Sequence, residues 1–260
     1  MAVFQYTFRR FEKKYLITEE QFENLMKRLE GRMVDDYYAH SLINNVYYDT
    51  PDFLLIRRSL EKPVYKEKLR LRAYGVPKDD GKVFIELKKK YKGVVYKRRI
   101  FVPCGDSVDY LENKRACPLP TEPQPDGAPE PTQIAKELDY FKRCYPGLAP
   151  AMFISYERYS LASPTDSVLR MTFDRNITWR LEDLDLRSGV YGEKLTLDGK
   201  ILMEVKIPEA MPLWLSHIFD DLKIRRVSIS KYGKAYLCAL NNGQIDPAAA
   251  AAGLIPRPKR

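Results

Sequence analysis

Residues 66–75 read KEKLRLRAYG. Taken as alternating positions, Lys68, Arg70, Arg72 and Tyr74 share one side, and Leu69, Leu71 and Ala73 share the other. That is the period of a β-strand. Cations in a row on one strand face need a reason. Same-face neighbours sit about 6.6 Å apart, and two like charges at that spacing repel by roughly 2.5 kcal/mol at an effective dielectric near 20.

The pattern recurs along the chain. In KVFIELKKK (82–90), Glu86, Lys88 and Lys90 share the polar face with Ile85 and Leu87 behind, and in GVVYKRRIFV (93–102) Lys97 and Arg99 share a face. MFISYERYSLA (152–162) aligns Tyr156 with Arg158, and SVLRMTFDRNITW (167–179) aligns Arg170 with Asp174. KILMEVKIP (200–208) sets Glu204 and Lys206 against Ile201, Met203, Val205 and Ile207, while RRFEKKYLI (9–17) aligns Arg10, Glu12 and Lys14. The plain reading is an antiparallel sheet with one solvated face. A solvated face intersperses signs, however, and here cations dominate. The strands also come from both sides of a proline-rich segment, 118–131, so a sheet that curls into a barrel brings both sets of cations into one interior. A polyanion gives such an interior its reason.

Composition bounds the alternatives. The 260 residues suffice for a substantial core. The net charge of +9 and pI near 9.2 point to an anionic partner. Four well-separated cysteines without a CxxC pair read as reduced thiols of a cytosolic protein. His40 and His217 are the only histidines, which excludes zinc clusters and most histidine-based catalysis. A metal would therefore be hard and carboxylate-held, as Mg2+ or Mn2+ is. No apolar run is long enough to span a bilayer and no signal peptide opens the chain, so a soluble, cytoplasmic protein is expected. Thr18 with Gln21 three residues on forms a capping box before Phe22, Leu25, Met26 and Leu29. Ile134, Leu138 and Phe141 mark a second helix, residues 211–222 a third, and Ser230 caps a fourth. One domain over 1–246 is expected, with the proline-rich segment as a mobile loop and 247–260 as a low-complexity tail.

The ordered set RFEKKYLI, NNVYYDTPD, KLRLRAYG, FIELKKK, YKRRI, SYERYSL, VLRMTFDRNI, LMEVKIP and SKYGKAY, from about residue 8 to 240, resembles the VTC domain. That is the polyphosphate-polymerase domain of the vacuolar transporter chaperone complex, within the triphosphate tunnel metalloenzymes or CYTH-like fold. The resemblance implies an α+β fold in which an antiparallel β-barrel tunnel with flanking helices is lined by cations that hold a phosphate chain. It implies transfer of the γ-phosphate of ATP onto inorganic polyphosphate with Mn2+ or Mg2+. By position, Lys14, Arg70, Arg72, Lys88, Arg158 and Arg170 match the catalytic cations. Arg10, Lys97, Arg99, Lys206 and Lys231 would add phosphate contacts. Glu204 matches the metal-binding glutamate, with Glu86 and Glu12 as helpers. Hydrolytic relatives open with Glu-x-Glu-x-Lys, where this chain has Arg10-Phe11-Glu12-Lys13-Lys14, a departure that favours the polymerase branch. Ser228 stands where the eukaryotic pattern has a basic residue. The eukaryotic phosphate-sensing and membrane domains are missing, so a free-standing catalytic domain docking on a membrane-protein partner is expected.

Three other readings compete. A triphosphate hydrolase of the same fold differs in its product. An RNA or DNA binder would expose aromatics between its cations on an open surface, and no specific nucleic-acid motif is evident. A scaffold role requires a decayed metal site.

Overall fold

A computed structural model describes residues 11–92, 94–119, 130–208 and 210–246. The strands are β1 (Phe11–Ile17), β2 (Val34–Asp49), β3 (Tyr65–Tyr74), β4 (Lys82–Tyr91), β5 (Val94–Pro103), β6 (Ala149–Ala162), β7 (Arg170–Arg180), β8 (Glu193–Lys194), β9 (Ile201–Ile207) and β10 (Arg226–Val227). The helices are α1 (Glu19–Leu29), α2 (Leu54–Leu60), α3 (Cys104–Leu111), α4 (Pro131–Cys144), α5 (Leu213–Asp221) and α6 (Lys231–Asn241). The strands form one antiparallel sheet in the order β10-β1-β9-β7-β6-β2-β3-β4-β5, with β8 paired to β7.

The sheet is strongly curled. β1 and β4 are six strand spacings apart in that order, about 29 Å if the sheet were flat, yet Lys88 Nζ of β4 lies 3.5 Å from Glu12 Oε2 of β1. Charged residues line the concave face. Backbone pairing does not close the circle among the described residues, because β5 and β10 are the two ends of the order. The expected barrel is therefore a curled antiparallel sheet in an α+β fold. Its convex side is covered by two helical layers. Leu69, Leu71, Ile85, Leu87 and Ile100 pack against α3 and α4 through Tyr110, Ile134, Leu138 and Phe141. Tyr15, Ile17, Phe173 and Met203 pack against α1 and α5 through Leu25, Leu29, Leu215 and Phe219. Each fully buried aliphatic side chain there contributes on the order of 1.5–3 kcal/mol.

A third cluster closes one end of the concave face. Tyr47 and Tyr156 pack with Tyr232, Ala235 and Tyr236 of α6 and with Ile56 of α2. Asp49 ties these pieces together. Its carboxylate accepts from the backbone N–H of Thr50, Leu55 and Ile56 at 2.8–3.0 Å and from the Tyr232 hydroxyl at 2.8 Å. It thereby satisfies the open N–H groups at the start of α2.

The helices expected after Thr18, around Ile134, over 211–222 and after Ser230 are present, the third as Leu213–Asp221, with the capping box formed at Thr18. The four cysteines are free thiols. The short helices α2 and α3 and the first half of β2 carry no legible period and appear only in the structure. Arg10, most of the proline-rich segment (120–129) and the tail from 247 lie outside the described residues.

Candidate functional site: a cationic tunnel face

Strand register places the charged residues in facing rows. One row runs Tyr47, Arg70, Glu86, Arg99 across β2 to β5, and the next runs Lys68, Lys88, Lys97. On the other wall, Lys14, Glu204 and Thr172 align across β1, β9 and β7, as do Glu12, Lys206 and Arg170. Arg158 of β6 stands opposite Asp174 of β7.

Two carboxylates organise these cations. Glu86 is 1% exposed; Arg70 Nη2 lies 2.6 Å from it, Lys97 Nζ 2.5 Å, Arg99 Nη1 3.7 Å and Arg72 Nε 3.8 Å. Burial alone would raise its pKa, but Lys97, Arg72 and Arg70 hold it well below the usual carboxylate range. Asp174, also 1% exposed, accepts two hydrogen bonds from Arg158, at 2.7 Å from Nε and 2.8 Å from Nη2, and one from Lys231 Nζ. Lys231 and Arg158 overcome the effect of burial and keep Asp174 ionised. Arg72 is held by Asn45 Oδ1 at 2.9 Å and by the Tyr156 hydroxyl at 3.1 Å. Tyr156 sits among Arg72, Arg158 and Lys231; burial works against its ionisation, yet the three cations bring its pKa below the ordinary tyrosine value.

Glu204 and Glu12 form a third group, joined by Lys14. Lys14 Nζ is 2.9 Å from Glu204 Oε1 and 3.6 Å from Glu12 Oε1; Lys231 reaches Glu204 at 3.7 Å. Burial and the mutual repulsion of Glu12 and Glu204 push the Glu12 pKa up, but Lys88, Lys14 and Lys206 bring it to about 2. Burial likewise opposes ionisation of Glu204, which Lys14, Lys231 and Arg158 hold well below its ordinary value. Among the described residues no three His, Cys, Asp or Glu side chains gather as a preformed metal cage. The oxygen donors of Glu204 and Glu12 nonetheless suit a hard divalent ion that takes one or two carboxylates and completes its shell with substrate phosphates and water.

The structure thus brings Lys14, Arg70, Arg72, Lys88, Lys97, Arg99, Arg158, Lys206 and Lys231 to one concave face with Glu12, Glu86 and Glu204. Arg170 stands at its rim, nearly half exposed, 3.6 Å from Asp36. Sequence reasoning missed Asp174 as the anchor of Arg158 and Lys231, although its same-face spacing from Arg170 was visible. It gave no role to Asn45, and it placed Lys68 on the cationic strand face without assigning it one.

Antiparallel strands curled around a cationic interior, with helices on the convex side, define the triphosphate tunnel fold. The chain belongs to the VTC domain family, which it matches over residues 9–240. A solved protein from Bacillus halodurans named as a putative adenylate cyclase superposes with a TM-score of 0.51 at 15% identity, covering 85% of this chain and 95% of its own. Another, from Hippeastrum, carries the same kind of name and is described as having a dominant triphosphatase activity; it gives 0.45 at 14% identity, covering 92% and 98%. No curated protein sequence matches the chain.

Proposed function

We propose that the protein is a polyphosphate polymerase that moves the γ-phosphate of ATP onto inorganic polyphosphate held along the cationic face. One observation carries this reading: in a VTC-family chain, Arg70, Arg72, Lys97 and Arg99 around Glu86 adjoin, through Tyr156, Arg158 and Lys231 around Asp174 on one concave surface. Such a surface fits a linear anion with charge on every unit. Phosphoryl transfer asks mainly for positioning and charge stabilisation. A terminal oxygen of the polyphosphate chain attacks the γ-phosphorus, the bond to the β,γ-bridging oxygen breaks, and ADP leaves with that electron pair. The attacking oxygen is already anionic, so no general base is required. Arg70, Arg72 and Arg158 can hold phosphate oxygens through N–H groups in a fork geometry, while Lys14, Lys88 and Lys231 supply point charges. Mn2+ or Mg2+ would be held by Glu204 with Glu12, and would neutralise charge on the transferring phosphate. Glu86, enclosed by four cations, serves as their counter-ion in this reading.

Among the described residues no helix is long and apolar enough to cross a membrane. The test is incubation with ATP and Mn2+ or Mg2+, with phosphate products resolved on a gel. A ladder of long chains with ADP supports the polymerase, whereas orthophosphate alone moves the protein to the hydrolases. Glu204→Gln is expected to abolish turnover and to leave most polyphosphate affinity in place. Full activity in that variant would refute the metal assignment.

A further inference from the structure

Lys68 stands apart from the other cations of this face. It lies on the same strand face as Arg70 and Arg72 and directly opposite Lys88, which in turn faces Lys97. Its Nζ donates to Ser230 Oγ at 3.0 Å, at the start of α6, and lies 5.8 Å from the centre of the Tyr232 ring. No ion pair joins it to a carboxylate among the described residues. Neighbouring cations do have such partners: Arg70 has Glu86, Lys14 has Glu204, and Lys88 has Glu12. Lys66 turns its Nζ to the Ser59 carbonyl instead. Lys68 thus meets Lys14 from β1, Lys66 and Arg70 from its own strand, Lys88 from β4, and only the neutral Ser230 and Tyr232 from α6. The Asp49 carboxylate behind Tyr232 is occupied by three backbone N–H groups and the Tyr232 hydroxyl.

A lysine packed among like charges without a counter-ion is unfavourable for the empty protein. It is favourable only when an anion arrives. We propose that Lys68 is the core of a phosphate subsite at the α6 end of the tunnel, shared with Lys14 and Lys88, and that anion binding there is coupled to uptake of a proton by Lys68. This rests on the reading of the tunnel as a phosphate-chain site and deepens it. At Lys14 and Lys88 an incoming phosphate competes with Glu204 and Glu12 for the cation; at Lys68 it displaces only a hydroxyl contact. The protonation state supports the coupling: burial first, then Lys14, Lys88, Lys66 and Arg70, bring the Lys68 pKa down to about 7. Near neutral pH the empty protein therefore holds a substantial fraction of Lys68 as the free amine. A phosphate beside it favours the ammonium form.

The experiment is calorimetric titration with inorganic tripolyphosphate between pH 6 and pH 9, in buffers of different ionisation heat, on the wild type, Lys68→Met and Lys68→Arg. Comparing variants cancels the titration of the ligand itself. The wild type should bind more weakly as pH rises past 7 and take up more protons on binding than Lys68→Met. Lys68→Met should lose about tenfold in affinity at pH 6, the scale of one charge-assisted contact, and should melt higher because a repulsive buried charge is gone. Lys68→Arg, charged throughout, should bind better than wild type at pH 9. Equal affinity and equal proton uptake in wild type and Lys68→Met would overturn the subsite while leaving the tunnel reading intact. Absence of tripolyphosphate binding by the wild type at every pH would overturn both.

Discussion

Glu86 shows how a single side chain organises this protein. It is a fully buried carboxylate with four cations inside 4 Å, so Glu86→Gln leaves those charges uncompensated in a poorly solvated place. Removal of one partner from a buried ion cluster costs about 3–5 kcal/mol, and thermal melts should show a loss on that scale. Tripolyphosphate, by replacing the missing anion, should raise the melting temperature of the variant more than that of the wild type; an equal rise in both would contradict the role assigned to Glu86. Asp174→Asn gives a sharper sign. Simple electrostatics says that an anion-binding face stripped of a negative charge binds anions better. Because Asp174 fixes Arg158 by two hydrogen bonds and also holds Lys231, tripolyphosphate affinity should instead fall several-fold, as read by calorimetry. The cations were legible in the sequence because alternation assigns them to a face. Their anchors were not, since Glu86 and Asp174 acquire their partners from other strands, and only the register of β3 to β5 and β6 to β7 brings those partners within reach.

Among elements, α6 does two jobs through one residue. Ser230 Oγ accepts from the backbone N–H of Gly233 at 3.3 Å and from Lys68 Nζ, so the cap that starts the helix also touches the concave face. Ser230→Ala should lower stability by about 1 kcal/mol, measured by urea unfolding, and should alter tripolyphosphate affinity as well. Thr18→Ala, which removes the equivalent cap of α1 on the convex side, should carry the same stability loss and no change in binding. If both variants bind alike, the link between cap and tunnel is absent. Capping residues and amphipathic spacing made α1, α4, α5 and α6 readable in advance. The helix α2 was not, because it lacks a side-chain cap on its own preceding residue and draws on Asp49, five positions before its first residue.

At the level of the whole molecule, acid should erode stability steeply. Burial opposes ionisation at Glu12, Glu86, Asp174 and Glu204, but the surrounding cations leave all four with lowered pKa values, Glu12 at about 2. A depressed carboxylate contributes stability above its unfolded-state pKa, near 4, and that contribution fades as pH falls through the folded value. Urea unfolding followed by circular dichroism should therefore show stability that is flat above about pH 5 and falls steeply below about pH 4, as unfolding takes up protons at these four carboxylates; a stability unchanged down to about pH 3 would contradict these ion pairs. The fold class was legible because the alternating faces recur on both sides of the proline-rich segment. The open circle was not, since no residue pattern states whether the last strand meets the first. One consequence concerns selectivity by size. Glu86 and Asp174 gather the cations into two groups. Under the proposed function, orthophosphate would engage one group at a time, whereas a longer phosphate chain would bridge both, so the tunnel would discriminate by reach.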